Sequence, residues 1–438
     1  MEWYYMAAIM FGSLIILLAI GIPVGFALML VSLGSLYLLG GGFLYFLDLP
    51  GYIFHNLNSF ILLCVPLFIA MAMFAHQARF SDDLFRSLNT ILGRLPGGVI
   101  NVAIVACAIF SAISGTSVAT AAAVGLIAIP QFKKYGYDEK LSVGSLAAGG
   151  ALGILIPPSV PMIMYCIITQ QSIGKMFAAG LFPGILTAAI FIVYIIIRCR
   201  INPKLAPVTA IATGLPTREK FMILTGVIPL ILIIVIVLSF IYFGICTVTE
   251  SAAIGCLAAL VLSFAYRRMN FAEMFKGAAE AMRIGAFIIL IFIGAIIFGH
   301  VINRGGISTG LSDLVIELGL SKWAVLIVIQ LILLILGMFM DPTPIILTTM
   351  PAFFPIAMQA GFDPTHFGIL CVMNLEMACI TPPVGFNLFI LRGIGKDYVS
   401  MSDIIEGAAP FIGLYALTIV IVALFPQIAM FLPSLMVR

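Results

Sequence analysis

Ser111-Ala-Ile-Ser-Gly-Thr-Ser117, Ile129-Pro130, Gly136-Tyr137-Asp138 and Ile156-Pro157-Pro158 punctuate one apolar stretch of this chain. A second stretch carries Gly337-Met-Phe-Met-Asp-Pro342, Phe354-Pro355, Gly361-Phe362-Asp363 and Thr381-Pro382-Pro383. From Pro130 to Pro158 each landmark returns 225 residues later without a gap. The surroundings are apolar enough for a membrane: 63% of the 438 residues are hydrophobic and 9% charged. Several apolar runs exceed the roughly 18–20 residues that cross about 30 Å of hydrocarbon. Two such halves, each broken twice at membrane depth by Gly, Pro and small hydroxyls, point to an inverted-repeat secondary transporter.

Outward from the breaks, the chain divides as follows. Residues 97–134 hold Ser114-Gly115-Thr116 near their middle and charge at both ends, and each limb alone is marginal as a span. They read as a re-entrant hairpin, as do residues 323–360 around Asp341-Pro342. Residues 138–170 and 364–391 read as spanning helices broken at their Pro-Pro pairs. Gly21-Ile-Pro23 splits the first long run into two spans, and further spans fall near 59–76, 175–197, 221–243, 250–266, 284–301 and 404–431. Ser81 as N-cap followed by Asp-Asp-Leu-Phe-Arg-Ser-Leu gives an interfacial amphipathic helix, matched by residues 308–318. The expected fold is therefore an all-α polytopic membrane protein of two inverted-topology repeats, 1–200 and 220–438, joined by a cytoplasmic linker at 201–219.

Charge orients it. With the base of the first hairpin in the cytoplasm, 17 of the 21 Lys and Arg residues lie inside and only Lys175, Arg304, Lys322 and Arg438 outside. That obeys the positive-inside rule and puts both termini on the periplasmic side of an inner membrane. The net charge of +3 gives no reason to expect nucleic acid. Glu2 where a signal peptide would be basic, with apolar sequence continuing, argues against a cleaved leader. The eight cysteines lack metal-ligand spacing and read as small apolar-face residues.

Non-helical backbone survives in hydrocarbon only where it is buried or lines a site. Pro157 and Pro158 should free the carbonyls of Gly153 and Ile154, and Pro382 and Pro383 those of Ala378 and Cys379. With the hydroxyls of Ser111, Ser114 and Thr381 they make an all-oxygen cradle suited to Na⁺; the bland alternative is a pair of capped proline kinks. New helix N-termini at Thr116-Ser117, Ser159, Thr343 and Val384 favour an anion. No Lys or Arg lies at the proposed midplane, so these ends, the hydroxyls and Asn387 would have to receive it. Asp341 either caps the limb that follows or couples an ion. Glu376, a carboxyl placed at a cost of about 2.5–3.5 kcal/mol within the membrane, reads as paired or functional, the bland alternative being a protonated acid that is merely hydrogen-bonded. His300 and Glu250 read as surface residues near the interfaces.

At these residues the chain resembles the large membrane subunit of the tripartite ATP-independent periplasmic (TRAP) transporters. The likeness is carried by Ser111-Ala-Ile-Ser-Gly-Thr-Ser-Val-Ala119, Gly153-Ile-Leu-Ile-Pro-Pro-Ser159, Met340-Asp-Pro-Thr-Pro344, Phe362-Asp-Pro364 and Thr381-Pro-Pro-Val-Gly385, and it covers essentially the whole chain. The resemblance implies an elevator-type transporter without enzymatic activity, taking up a small organic anion with at least two sodium ions. It implies two partner chains: a small four-helix membrane subunit and a periplasmic substrate-binding protein. It places one sodium ion at Ser111, Ser114, Gly153, Ile156 and Pro158, and the other at Gly337, Ala378, Thr381 and Val384. Glu376-Met-Ala378 departs from the small residues usual there, and Thr116 replaces a frequent Ser. Two rivals were weighed: an elevator anion symporter that works without a binding protein, and an intramembrane enzyme. The second lacks HExxH, GxSxG and paired aspartates in facing spans.

Overall fold

The computed structural model describes residues 2–41, 44–207, 223, 225–396 and 398–436. Most of the expected linker, with Arg218 and Lys220, lies outside the described residues. Among the described residues every regular element is helical. Five helices among the described residues are long and apolar enough to cross a bilayer: Phe60–Gln77, Ile173–Ile201, Val248–Ala265, Phe271–Arg304 and Met401–Leu424.

The broken elements form where the prolines and glycines demand. The first hairpin has limbs Gly98–Ser114 and Ser117–Tyr135, turned at Gly115 with φ of 64°. That left-handed conformation suits a residue without Cβ. The second hairpin has limbs Lys322–Gly337 and Pro342–Gln359. The first broken helix is Glu139–Ala151 followed, after a short 3₁₀ turn at Leu152–Ile154, by Val160–Thr169. The second is Pro364–Ala378 followed by Phe386–Ile394. Asp138 and Asp363 cap the two first segments by accepting from Leu141 N and from Thr365 and His366 N. Pro157-Pro158 and Pro382-Pro383 are both cis.

These pieces interlock reciprocally. The second limb of the first hairpin packs on Phe386–Ile394, and the second limb of the second hairpin packs on Val160–Thr169. Each hairpin therefore touches the far segment of the other half's broken helix. The amphipathic helices follow the same exchange. Phe80–Leu92 lies on the first hairpin and reaches Ile228–Tyr242, while Ile307–Glu317 lies on the second hairpin and reaches Trp3–Ala19. The last long helix, Met401–Leu424, packs chiefly along Glu139–Ala151. At that crossing a Cβ on Gly407 would stand 1.9 Å from the Lys140 carbonyl oxygen, and one on Gly144 would stand 2.1 Å from the Gly407 carbonyl carbon. Backbone cannot yield as a flexible side chain does. Gly407→Ala is therefore expected to cost at least the ~1–3 kcal/mol of core overpacking, read as a lower melting temperature in detergent. An unchanged melting temperature would show that the helices can separate freely.

Several expected boundaries are corrected. Ser81 is not an N-cap: the helix begins at Phe80 after Arg79, whose φ is 56°, and Ser81 is buried within it. The reason is Phe80, buried edge-on against Tyr266. The span expected at 284–301 is the end of a 34-residue helix, Phe271–Arg304, opened by a capping box in which Asn270 Oδ1 accepts from Glu273 N at 2.9 Å. At about 1.5 Å per residue it is longer than the hydrocarbon is thick, so its polar first turns reach beyond the membrane core. The final span stops at Leu424, and Gln427–Leu435 is a separate short helix. His300 stacks on Tyr52 with ring centroids 4.4 Å apart, whereas Glu250 is exposed and completes a capping box with Thr247.

Candidate functional site

Each hairpin tip is bound to the break of the broken helix in its own half. In the first half Val160 N donates to Gly115 O at 3.2 Å; in the second, Gly385 N donates to Met338 O at 3.3 Å. Val160 and Gly385 stand 225 residues apart, the same offset as the proline landmarks. The contact is close at both places. A Cβ on Gly153 would lie 2.5 Å from Thr116 O, and one on Gly337 would lie 2.4 Å from Ala378 Cβ.

The first break, residues 151–160, is wholly buried. Around it, Ser111 Oγ donates to Ala108 O at 2.7 Å, and Ser114 Oγ lies 2.5 Å from Thr120 Oγ1, which donates to Thr116 O at 3.0 Å. A hydroxyl whose proton is committed to a carbonyl keeps its lone pairs for another partner. Gly115 would bring a Cβ to 3.1 Å from Pro158 O, so that carbonyl also lies at the tip. Leu155 N and Ile156 N both turn back to Leu152 O, at 3.2 and 3.3 Å. Ser111, Ser114, Gly153, Ile156 and Pro158 thus belong to one tip and the turn bound to it.

At the second break Thr381 Oγ1 donates to Met377 O at 2.7 Å, again leaving its lone pairs. The carbonyls expected to be free are not: Ala378 O accepts from Thr381 N at 3.0 Å and Cys379 O from Asn387 N at 3.2 Å. The 3₁₀-like tightening before Pro382 supplies the first donor and the start of Phe386–Ile394 the second, and each oxygen retains one lone pair. Val384 is not a helix start, since the helix begins at Phe386 after Gly385 with φ of 60°. Val384 remains beside the tip through its neighbour's bond to Met338. Unlike the first break, this one is partly open, with Thr381, Pro382 and Val384 half-buried.

The remaining candidates divide into caps and bridges. Thr116 caps its limb by accepting from Ala119 N, Ser159 by accepting from Met162 N, and Asp341 by accepting from Thr343 N at 3.0 Å. Asp341 thus does what the bland reading expected, and Thr343 is buried behind it. Ser117 Oγ reaches Cys379 Sγ at 3.8 Å, and Asn387 Nδ2 donates to Ala147 O at 3.3 Å. These two bonds join the halves. Glu376 is fully buried and accepts from Tyr415 Oη at 3.1 Å. Among the described residues no cluster of three His, Cys, Asp or Glu side chains could hold a metal.

A cavity of about 510 Å³ opens beside the first tip, lined by Ser114 and Ala119 and, further out, by His76, Gln77, Lys276 and Glu280. Sequence reading missed Lys276 and Thr120. Thr120 was legible as the residue one helical turn after Thr116. Lys276 was not, because its helix was expected to begin only at residue 284.

The model of the family described as "Tripartite ATP-independent periplasmic transporter, DctM component" matches residues 11–428. The C4-dicarboxylate TRAP transporter large permease protein DctM of Pseudomonas aeruginosa is 37% identical over 87% of this chain and 88% of its own. The isethionate TRAP transporter permease protein DctMQ of Oleidesulfovibrio alaskensis is 33% identical over 97% of this chain but 66% of its own. In fold, the chain is similar to the crystal structure of the Alcanivorax borkumensis YdaH transporter, with TM-score 0.62 and 16% identity over 90% of each chain. These relatives are named as transporters and permeases, not enzymes. With its matched tip-to-turn bonds and this match along almost its whole length, the chain belongs to the DctM component family of tripartite ATP-independent periplasmic transporters.

Proposed function

We propose that this permease drives uptake of a small organic anion, such as a C4-dicarboxylate or a sugar acid, across the inner membrane by coupling it to at least two sodium ions. One sodium ion is held by the first tip and turn, through Ser111, Ser114, Gly153, Ile156 and Pro158. The other is held by Gly337, Ala378, Thr381 and Val384. The observation that carries this reading is the matched pair of tip-to-turn hydrogen bonds, which gathers backbone and hydroxyl oxygens twice in related surroundings. A hard cation suits oxygen donors, and its charge beside the helix N-termini at Ser117 and Val160 compensates a substrate anion. The Ser114-lined cavity is the substrate's route, with Lys276 as the cation nearest it. The inverted repeats form a fixed scaffold and a moving elevator, a small four-helix subunit supports the scaffold, and a periplasmic binding protein delivers the anion.

The test is sodium dependence in side-chain variants. Ser114→Ala and Thr381→Ala each remove one oxygen and leave the carbonyls, so sodium affinity is expected to fall about threefold to tenfold, the equivalent of one hydrogen bond of ~1 kcal/mol. The measurement is sodium-induced thermal stabilisation of the purified permease with its small subunit, with choline chloride as control. Unchanged sodium titrations in both variants would rule these hydroxyls out as ligands.

A further inference from the structure

Glu376 is the one carboxyl of the second broken helix buried to 0% exposure, and the cation sites as proposed do not use it. It lies two residues before Ala378, where that helix ends. Tyr415 Oη donates to Oε2 at 3.1 Å from the last long helix. The helix that carries Glu376 packs on the turn Leu152–Ile154 of the other half, where the N–H of Ile154 lies near the same carboxyl and that of Leu155 is held by Leu152 O. Its Oε1 nevertheless lacks a fully formed hydrogen bond. One formed hydrogen bond, from Tyr415, and the nearby N–H of Ile154 thus meet one side chain from two other elements.

Their position matters because a peptide unit is planar and trans. The N–H of Ile154 and the C=O of Gly153 are opposite ends of one such unit. A group that draws the Ile154 N–H toward itself turns the Gly153 oxygen the other way. Gly153 lies against the hairpin tip, where a Cβ on it would stand 2.5 Å from Thr116 O and 2.8 Å from Ser117 Cα. We propose that Glu376 is a positioning residue that aims the first turn's carbonyls at the first tip and links that turn to the second break. The proposal rests on the sodium-site reading for its consequence but not for its geometry. The joint holds the first cation's oxygens from a helix that ends in the second cation's oxygens, so the two sites are mechanically linked.

Amide exchange measured by mass spectrometry, on the permease purified with its small subunit, reads the joint directly. In choline chloride, Glu376→Leu is expected to speed exchange across residues 152–160 about tenfold, the equivalent of losing a buried hydrogen-bonded partner. Glu376→Gln keeps an acceptor oxygen and is expected to stay within about threefold of the wild type, by the same scale. Titrating NaCl against choline chloride should then show the half-protecting sodium concentration raised about tenfold in the Leu variant and restored in the Gln variant. If the Leu variant does not fold, Tyr415→Phe, which removes the one formed hydrogen bond to the carboxyl, must still speed exchange in that segment. Unchanged exchange in either folded variant, or a Gln variant as fast as Leu, overturns the proposal. Exchange that responds to Glu376→Leu in a protein indifferent to sodium supports the joint and overturns the cation reading instead.

Discussion

Proteoliposomes holding only this polypeptide are expected to show no uptake, even with millimolar substrate outside and a sodium gradient directed inward. The amphipathic helices Phe80–Leu92 and Ile307–Glu317 join the hairpins to Ile228–Tyr242 and Trp3–Ala19 of the opposite halves. Arms of that kind transmit force only if the helices they lean on hold still. Val248–Ala265, which packs on Ile228–Tyr242, buries only about a third of its span within the chain. Leu257 and Val261 on it are 60% and 55% exposed, a face that lipid or a small membrane subunit would cover. Adding the small subunit and its loaded binding protein should raise uptake from background to a saturable rate. Robust sodium-driven uptake by the lone chain would overturn the tripartite reading and favour a symporter that works without a binding protein.

Replacing sodium with choline in the complete system, with an inward proton gradient left in place, should abolish uptake. The breaks offer carbonyl and hydroxyl oxygens but no chain of titrating groups from one face to the other. With two sodium ions and a monoanion, one net positive charge enters per cycle. That charge is worth about 2.3 kcal/mol per 100 mV, so a potential of that size, negative inside, should raise the accumulation limit about fiftyfold. A dianion moving with two sodium ions should not respond to the potential. Equal uptake driven by protons alone would sink the coupling scheme, and a potential-insensitive monoanion would sink the stoichiometry.

Much of the fold was legible because membrane helices break only for local chemical reasons. Pro157-Pro158, Pro382-Pro383, Gly115 and the Asp-Pro pair at 341–342 each leave a mark that does not depend on distant neighbours, and the structure turns at every one. Helix starts outside the hydrocarbon were less legible. Asn270 and Glu273 form a capping box, but Glu273, Lys276, Glu280 and Arg283 looked like loop sequence beside so many apolar runs. What the site does with its freed groups could not be read at all. That Ala378 O would find Thr381 N depends on how tightly the turn closes, and that Glu376 would meet Tyr415 and the turn at Ile154 depends on how segments remote in sequence cross. Periodicity carries no information about such pairings. The offset of 225 residues foretold which positions would be equivalent, and Val160 and Gly385 then made equivalent bonds.

The crossing of Met401–Leu424 over Glu139–Ala151 has a kinetic consequence. Gly144 and Gly407 leave no room between the two backbones, so these helices cannot slide past one another without first parting. Pro364–Ala378 also packs on Met401–Leu424. The near segments of both broken helices are therefore lashed to one strut. A membrane-crossing step that moved one of them would have to carry the other, which forbids half-strokes. If the chain couples ions to a passenger as proposed, half-strokes would leak the ions alone, and a pair of missing methyl groups would close that route.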